Sequence, residues 1–280
     1  MTNSVKKSQE FIKKYLSIDN GERLSLILES CKDEKYLYRY RTLTDYELKA
    51  LHEKRIWLQT FNKQNDCEEG LTSFITKDIV KKSKSINLKN LYSKAKDNHI
   101  AKKSIKNLEE QVENKLIEIR KNYGLICFST LCDNQYMWEK YADIGKGICI
   151  VYSKEEMVRQ EFHVCPVIYQ KEKSNVMDYF DFVDIHNTIV INENKRSIPM
   201  IYITKNDRKW GKEEEWRHIE VIPHKQDGKY CDTIIKPEAI YIGYNIDPVN
   251  REKIVQYCKQ EEINCRLSYC SNKNKKTILD

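Results

Sequence analysis

The composition of the chain indicates a folded protein and excludes an ordinary membrane-spanning helix. Its 280 residues are 40% hydrophobic and 32% charged, with a formal net charge of +7. This length can supply a hydrophobic core, and no apolar run approaches the roughly 20 residues that cross a bilayer. The mild excess of positive charge is compatible with a polyanionic partner.

The 10 cysteines predict neither a disulfide framework nor a zinc site. They are spread singly, without a C-x-x-C pair, so we expect reduced thiols in a cytoplasmic protein. The nearest group, Cys258, Cys265 and Cys270, has irregular spacing and no nearby histidine. We therefore expect no metal.

The first part of the chain predicts helices followed by a basic strand. Residues 1–35 carry two short amphipathic segments, which we expect to pack as helices on the outside of the domain. Tyr36–Leu43 alternates in the manner of a strand. Thr44 and Asp45 make a plausible N-cap for a helix over Tyr46–Glu53, and Arg55–Thr60 returns as a second strand.

Arg39 and Arg41 share one face of the first predicted strand, because side chains alternate along a strand. Strand arginines are usually solvated or paired with local acids. The functional alternative is that a planar, permanently charged guanidinium binds a phosphate or pyrophosphate through two hydrogen bonds. The residues alone leave both interpretations open.

Residues 77–122 form the most basic and most helical region. Apolar residues recur there at spacings of three and four, which places them on one helical stripe: Ile105, Leu108, Val112, Leu116 and Ile119. The Lys-rich remainder is either a solvated face or a surface for nucleic acid or an acidic partner.

Two buried strands flanking a short helix are predicted after Gly124. We expect strands at Leu125–Thr130 and Gly147–Tyr152, and a helix over Asn134–Ala142. Ser129 and Thr130 lie at the end of the first strand. Their hydroxyls can donate hydrogen bonds to a ligand or orient a neighbouring carboxylate.

Trp138 and Tyr141 lie one turn apart on the predicted helix, and they have two interpretations. Both can stack on a flat ligand ring, although aromatic residues at helical spacing are more often part of the core.

The stretch WGKEEEWRHIE, Trp210–Glu220, is the most informative for chemistry. Read as a strand, it places Glu213, Glu215 and Arg217 on one face and Glu214 on the other. Two carboxylates on one face repel each other, which a protein tolerates most readily where the pair serves as acid, base or cation binder. The alternative is a solvated edge strand with scattered charge.

The C-terminal part predicts a strand over Ile234–Ile246 and a helix from Asp247-Pro248 to Cys258, followed by a loose polar tail at 271–280. We expect residues 1–280 to form one catalytic-type domain, with 77–122 as a helical insertion.

Four blocks carry a resemblance to a known family: YRYRTL, FSTLCDNQYMWEKYADIGKGICIVY, KWGKEEEWRHI and IKPEAIYIG. In this order they resemble the bacterial domain of unknown function 2971 family, whose members commonly show Y-K-Y-R, C-F-S, M-W-x-x-Y-A, G-x-C-I and E-x-E-W-R. The resemblance covers Tyr36–Gly243. The chain departs from it at Gln64–Cys67, where members usually carry Asn-Asp-Pro-Phe.

The order of a basic strand, a Ser-Thr strand and a Glu-x-Glu strand more distantly resembles the ADP-ribosyltransferases. This resemblance implies an α+β fold whose split β-sheets form a cleft, with peripheral helices that include the long basic helical region. It implies that NAD is the substrate. The implied roles are NAD phosphate binding by Arg41 or Arg39, the nicotinamide ribose pocket at Ser129 and Thr130, ring stacking by Trp138 or Tyr141, catalysis by Glu215, and acceptor activation by Glu213.

The two resemblances together imply an ADP-ribosyltransferase toxin of phage defence and abortive infection, held inactive by an antitoxin protein. The basic character favours RNA or DNA as acceptor, with RNA preferred. Such chemistry rests on positioning and electrostatics and requires neither metal nor membrane.

Two other function classes remain open at this point. In a metal-dependent nuclease toxin, Glu213 and Glu215 would hold Mg²⁺. In a non-enzymatic module, the basic helix would bind nucleic acid or a partner, while the glutamates merely pair with Arg217 and Arg41. Cleavage that needs a metal but not NAD would indicate the nuclease, and an effect that survives Glu215→Gln would indicate the binding module.

Overall fold

A computed structural model describes residues 10–15, 17–31, 34–61, 72–73, 80–81, 83–170, 174–175, 180–193, 203–206, 210–222, 226–271 and 276–279. Over these ranges the chain has a mixed α+β architecture, which confirms the α+β part of the predicted fold class. The departure from the family pattern at Gln64–Cys67 lies outside the described residues.

Helices are distributed along the whole chain. Residues 10–15 are helical. The further helices are α1 (Asn20–Ser30), α2 (Asp45–His52), α3 (Ile86–Lys94), α4 (His99–Lys121), α5 (Gln135–Tyr141), α6 (Lys154–Arg159) and α7 (Pro248–Gln260).

Strands are mostly short. They are β1 (Tyr36–Arg41), β2 (Trp57–Thr60), β3 (Thr72–Ser73), β4 (Tyr123–Ser129), β5 (Ile148–Ser153), β6 (Cys165–Pro166), β7 (Ile168–Gln170), β8 (Ser174–Asn175), β9 (Phe180–Ile185), β10 (Thr188–Glu193), β11 (Thr204–Asn206), β12 (Glu215–Val221), β13 (Gly228–Tyr230), β14 (Ala239–Ile242), β15 (Asn264–Ser271) and β16 (Lys276–Leu279).

Side-chain caps fix the starts of the helices near the site. The Thr44 hydroxyl accepts a hydrogen bond from the backbone N–H of Glu47, so α2 begins at Asp45, one residue before the predicted start. The Asp247 carboxylate accepts one from the N–H of Asn250, with Pro248 in the first turn of α7. Both arrangements satisfy a backbone donor that the helix itself leaves unpaired.

One large sheet organises the described part of the chain. Its strands follow the order β13-β2-β4-β1-β5-β14-β15-β16, and β12 pairs with both β4 and β6. β14 and β15 are parallel and are joined through α7, whereas the other pairs in this sheet are antiparallel. Glu215, at the start of β12, therefore lies inside the sheet, and the alternative of a solvated edge strand is wrong.

The edge of β4 opposite β12 is shared by two strands that diverge from each other. β2 pairs with the beginning of β4, at Gly124 and Leu125. β1 pairs only with its end, at Ser129. The three residues between these contacts, 126–128, face a gap between β1 and β2. The sheet is therefore open in its middle.

The long helix α4 covers one part of the sheet with the predicted apolar stripe. All five stripe residues are buried, in a cluster with Phe61, Leu125 and the hairpin residues Phe180 and Phe182. The prediction of this stripe is confirmed, and the Lys and Glu side chains occupy the other faces of the helix. No helix in the described ranges is both long and apolar enough to cross a membrane.

The C-terminal elements differ from their predicted bounds. β14 is shorter than the predicted strand Ile234–Ile246, because Pro237 has no N–H to donate to a neighbouring strand. β16 pairs with β15 in antiparallel register. Lys276–Leu279 is thus a strand within the segment that we expected to be a loose tail.

Candidate active site

A cavity of about 130 Å³ lies at the gap between β1 and β2. Its floor is the part of β4 that pairs with β12 along one edge but with neither β1 nor β2 along the other edge. Its walls come from β1, β2, α5 and the segments that precede β12. The lining side chains that carry polar groups or aromatic rings are Tyr38, Arg39, Tyr40, Arg41, Trp57, Gln59, Cys127, Phe128, Tyr141, Lys205, Trp210, Glu213 and Glu215. Of the eight residues predicted for the site, the cavity brings together Arg39, Arg41, Tyr141, Glu213 and Glu215.

The two glutamates reach the cavity in a different way from the one predicted. Gly211–Glu213 is a turn of 3₁₀ helix, and Glu214 has a left-handed backbone with φ 43°. β12 begins only at Glu215. The prediction that Glu213 lies on the strand is therefore wrong, yet the turn still directs both the Glu213 and Glu215 side chains into the cavity.

Ser129 and Thr130 hold this turn in place. The buried Ser129 hydroxyl donates a hydrogen bond to the Glu213 carbonyl at 2.7 Å. The Thr130 N–H and hydroxyl donate to the carbonyl and carboxylate of Glu214, at 3.2 and 2.9 Å. Neither residue lines the cavity. The structure thus gives them a positioning role, in place of the direct ribose contact that the resemblance implies.

Lys205 bridges the two glutamates. Its Nζ donates to Glu213 Oε2 at 2.9 Å and to Glu215 Oε2 at 2.7 Å. Arg217, on the same face of β12 as Glu215, donates from Nε to Glu215 Oε1 at 2.7 Å and from Nη2 to Oε2 at 3.1 Å. All four side chains are buried. The expected repulsion between the carboxylates is therefore offset by two buried cations.

Glu213 has two further partners on α5. Its Oε1 accepts a hydrogen bond from the Tyr141 hydroxyl at 2.6 Å. The same oxygen forms an ion pair with Lys140 Nζ at 3.3 Å. Burial, together with the Glu213 charge, raises the pKa of Tyr141 above its usual range. Tyr141 thus remains a hydrogen-bond donor at neutral pH.

Glu215 remains ionised despite its burial. Burial alone would raise its pKa, but the charges of Arg217 and Lys205 hold the pKa well below the usual range of a glutamate. Burial also raises the pKa of the neighbouring Cys127 thiol well above its usual value. Cys127 is therefore a neutral wall of the cavity, with no reactive thiolate.

Arg39 and Arg41 are joined through a glutamate that sequence reasoning missed. Arg39 Nη1 donates to Glu47 Oε1 at 2.9 Å, and Arg41 Nε donates to Glu47 Oε2 at 2.8 Å. The Arg41 side chain is 40% exposed, whereas that of Arg39 is 7% exposed. Arg41 is thus the arginine that solvent, and hence a ligand, can reach.

The two predicted aromatic residues separate into different environments. Trp138 is fully buried, packs edge-on against Tyr40 at 5.2 Å and donates from Nε1 to the Cys132 carbonyl. It belongs to the core. Tyr141 lines the cavity, and so does Trp210, whose ring lies 3.5 Å from Lys140 Nζ and 4.8 Å from Lys205 Nζ.

The depressed pKa values predict that the protein loses stability in acid. Burial opposes ionisation of Glu47, but Arg39 and Arg41 lower its pKa, as Arg217 and Lys205 do for Glu215. Below about pH 4.5 the unfolded chain binds protons that the folded chain does not. The stability that both carboxylates contribute should therefore be fully present near neutral pH and be lost as the pH drops. For Glu215 the loss is on the order of 2 kcal/mol.

Urea unfolding at a series of pH values measures this loss. Glu215→Gln should show a shallower dependence than the wild type, because glutamine does not titrate. Glu214→Gln is the matched control and should follow the wild-type curve. Identical slopes for the wild type and Glu215→Gln would contradict the assignment of a depressed pKa to Glu215.

Part of the chain that forms this site is similar to a known family. Residues 137–218 match a family model described as "Protein of unknown function (DUF2971)". No curated protein matches the chain, and no solved structure matches it. The matched segment includes Tyr141, Lys205, Glu213 and Glu215 of the cavity. Over this segment the chain is therefore similar to the DUF2971 family, which supports the resemblance predicted from its sequence motifs.

Proposed function

We propose that the chain is an ADP-ribosyltransferase toxin, which transfers ADP-ribose from NAD to a nucleic acid. The observation that carries the proposal is the common cavity of Arg39, Arg41, Glu213 and Glu215. These residues come from distant parts of the sequence: β1 carries the two arginines, and the turn before β12 and the first residue of β12 carry the glutamates. In this proposal, the opening between β1 and β2 takes the place of the cleft between split sheets that the ADP-ribosyltransferase resemblance implies.

The charge of the site favours an anionic ligand. Among the described residues, Arg39 and Arg41 share the single carboxylate of Glu47. This local excess of positive charge on β1 supports an anionic ligand group such as a dinucleotide pyrophosphate. The terminal nitrogens of Arg41 are the groups that we assign to it, because Arg41 is exposed and its Nε is already bound to Glu47.

The volume of the cavity limits which part of NAD it encloses. Pockets that enclose a drug-sized ligand measure about 300–1,000 Å³, and this cavity measures about 130 Å³. It suits one ring with its immediate substituents. We assign the nicotinamide end to the cavity, beside Glu213 and Glu215, and the pyrophosphate to its exposed rim at Arg41.

The proposed reaction breaks the bond between the nicotinamide nitrogen and ribose C1′. Nicotinamide leaves with the bonding electron pair, and the ribose develops oxocarbenium character. Glu215 is anionic throughout the usual pH range, so it stabilises this positive charge and accepts a hydrogen bond from a ribose hydroxyl. For this, Lys205 must release Glu215 and remain with Glu213, while Arg217 keeps the Glu215 carboxylate in place.

Glu213 serves the acceptor in this proposal. The acceptor nucleophile forms the new bond to C1′, and Glu213 takes the proton that it loses. The Tyr141 hydroxyl, 2.6 Å from Glu213 Oε1, orients the carboxylate. The formal charge of +7 supports a nucleic acid acceptor, with RNA favoured, and Lys-rich residues 77–122 would contact its backbone. We further propose a role in phage defence under the control of an antitoxin partner.

The test is incubation of the purified chain with NAD carrying a labelled adenylate and with RNA, DNA or cell lysate. We expect label to appear on RNA together with stoichiometric release of nicotinamide. Folded protein that consumes no NAD and labels no acceptor would overturn the proposal. Cleavage of RNA that requires Mg²⁺ and no NAD would indicate the nuclease alternative. The pairing of Glu213 and Glu215 with Lys205 disfavours that alternative, since Mg²⁺ would have to displace a buried cation.

A further inference from the structure

A second cluster of side chains lies on the opposite face of β12 from the carboxylates. Side chains alternate along a strand, so His218 and Glu220 face away from Glu215 and Arg217. There they meet Cys231, which directly follows β13. The ligand-type atoms of His218, Glu220 and Cys231 all lie within 4.8 Å of one another.

The imidazole of His218 is held in a single orientation. Its Nδ1 lies 2.7 Å from the His163 carbonyl, and a carbonyl only accepts hydrogen bonds, so Nδ1 carries a proton. The ring also stacks on Phe162, with centroids 3.8 Å apart and an interplanar angle of 15°. Histidines that bind metals commonly donate their other ring nitrogen to a carbonyl in this way, which directs the second nitrogen at the ion.

Two atoms at the centre of the cluster are unsatisfied. His218 is 8% exposed. Its Nε2 and the Glu220 Oε2 are both buried, and neither has a hydrogen-bond partner among the described residues. The two atoms are 3.9 Å apart, too far for a hydrogen bond. Buried polar atoms in native proteins are rarely left unpaired, and a cation bound between these two atoms would satisfy both.

The remaining contacts fix the other two side chains. Lys229 Nζ lies 3.4 Å from Glu220 Oε1, which leaves Oε2 to face the histidine. The Cys231 backbone N–H donates to the Ile56 carbonyl at 2.8 Å, and its side chain is buried. A neutral imidazole, a carboxylate and a thiolate together carry two negative charges, which match a divalent cation.

We propose that His218, Glu220 and Cys231 bind one zinc ion. Nitrogen and sulfur ligands select against Mg²⁺ and Ca²⁺, and a mixed N, O and S set suits tetrahedral Zn²⁺. Ligand atoms around such an ion lie about 3.3–3.8 Å apart. The three side chains, whose ligand-type atoms lie within 4.8 Å of one another, therefore reach this spacing with movements of roughly 1 Å. Glu220 is partly exposed, and solvent on that side supplies the fourth ligand. This zinc site does not rest on the proposed transferase activity.

The rival account is a charged histidine without a metal. Burial alone would lower the pKa of His218, but interactions with Cys231, Glu220 and the His163 carbonyl raise the pKa to about 9. In that account the cluster is an imidazolium beside a carboxylate and a thiol. The two accounts differ in whether Cys231 bonds to a metal, which spectroscopy detects directly.

The test uses the full chain, stripped of metal with a chelator and then titrated with Zn²⁺ against a chromophoric competitor. A parallel titration uses Co²⁺, whose bond to a thiolate gives a charge-transfer band in the near ultraviolet. We expect one zinc ion per chain, a raised melting temperature on zinc addition and a cobalt–thiolate band. Absence of stoichiometric zinc binding, or a cobalt spectrum without the thiolate band, would overturn the proposal.

Variants locate the ion. Cys231→Ser should weaken zinc binding by about 100-fold or more and remove the thiolate band. Cys149→Ser is the matched control, because Cys149 is also fully buried but lies on β5, outside the cluster; it should bind as the wild type does. If Cys231→Ser does not fold, Glu220→Gln replaces a partly exposed side chain and should weaken binding by about 10- to 100-fold. If Glu220→Gln bound zinc with the affinity of the wild type, the assignment of Glu220 as a zinc ligand would be contradicted.

Discussion

Glu215→Gln is expected to lower the free energy of unfolding by about 3–5 kcal/mol. Glutamine keeps the volume of the side chain but removes the charge that neutralises Lys205 and Arg217, both of which are buried. Glu213 remains beside Lys205 in the variant, but the two buried cations lose one carboxylate partner. Removing one side of a buried ion pair costs more than the pair itself contributes. Urea unfolding at neutral pH measures the difference.

The same substitution is expected to reduce ADP-ribosyl transfer by about 10²- to 10³-fold. Here the reason is the loss of a fixed negative charge beside the developing oxocarbenium ion. The transfer rate is measured at a temperature at which circular dichroism shows that the variant is folded, so the two effects are read separately.

Glu214→Gln is the control for both measurements. Glu214 is exposed, and its carboxylate accepts a hydrogen bond from Thr130. Its replacement should change the unfolding free energy by less than about 0.5 kcal/mol and leave transfer intact. A loss of transfer in Glu214→Gln equal to that in Glu215→Gln would contradict the assignment of roles within this turn.

The two arginines of β1 are expected to respond in opposite ways to substitution by glutamine. Arg39→Gln should lower the unfolding free energy by about 3 kcal/mol, since Arg39 is a buried partner of the buried Glu47. Arg41→Gln should cost less than about 1 kcal/mol, because its side chain is 40% exposed. For NAD, Arg41→Gln should weaken binding by about 10- to 100-fold, through lost hydrogen bonds to phosphate.

Isothermal titration with NAD and urea unfolding, performed on both variants, separate the two roles. Folded Arg39→Gln should retain NAD binding more closely than Arg41→Gln does. Unchanged NAD affinity in Arg41→Gln would show that Arg41 does not bind the pyrophosphate. It would contradict the assignment of the pyrophosphate to the rim of the cavity at β1.

Local sequence patterns predicted those elements whose partners lie nearby in the chain. The apolar stripe from Ile105 to Ile119 predicted α4, because a helical period is visible within one segment. Thr44 and Asp247 predicted helix starts, since a cap needs only the residue two or three positions ahead. The alternation in Tyr36–Leu43 likewise placed Arg39 and Arg41 on one face, where both meet Glu47.

The strand pattern places Arg217 beside Glu215, but it does not predict the other cations that neutralise the glutamates. Lys205 lies in a short strand that pairs with β7, and nothing in its immediate neighbours indicates that it bridges Glu213 and Glu215. Lys140 and Glu47 are charged residues of ordinary helices, which usually face solvent. Glu47, three residues after the Thr44 cap, carried a local signal for the helix but none for its contact with the arginines.

The turn before β12 shows why spacing alone misplaced a catalytic candidate. An alternating pattern requires extended backbone throughout, whereas Glu214 is left-handed. That conformation is held by Ser129 and Thr130, which are more than eighty residues away in the chain. Only tertiary structure reveals it. For the same reason, the spacing of the cysteines along the chain does not reveal the grouping of His218 and Glu220 with Cys231.

The most direct measurement is a crystal structure of the chain with a carbocyclic NAD analogue. In that analogue a methylene group replaces the ribose ring oxygen, so the oxocarbenium ion cannot form and the dinucleotide stays intact. We expect the nicotinamide ribose beside Glu215 and Glu213, Lys205 displaced from Glu215, and the pyrophosphate on Arg41. An analogue bound away from the cavity between β1 and β2, or no analogue bound at saturating concentration, would contradict the account.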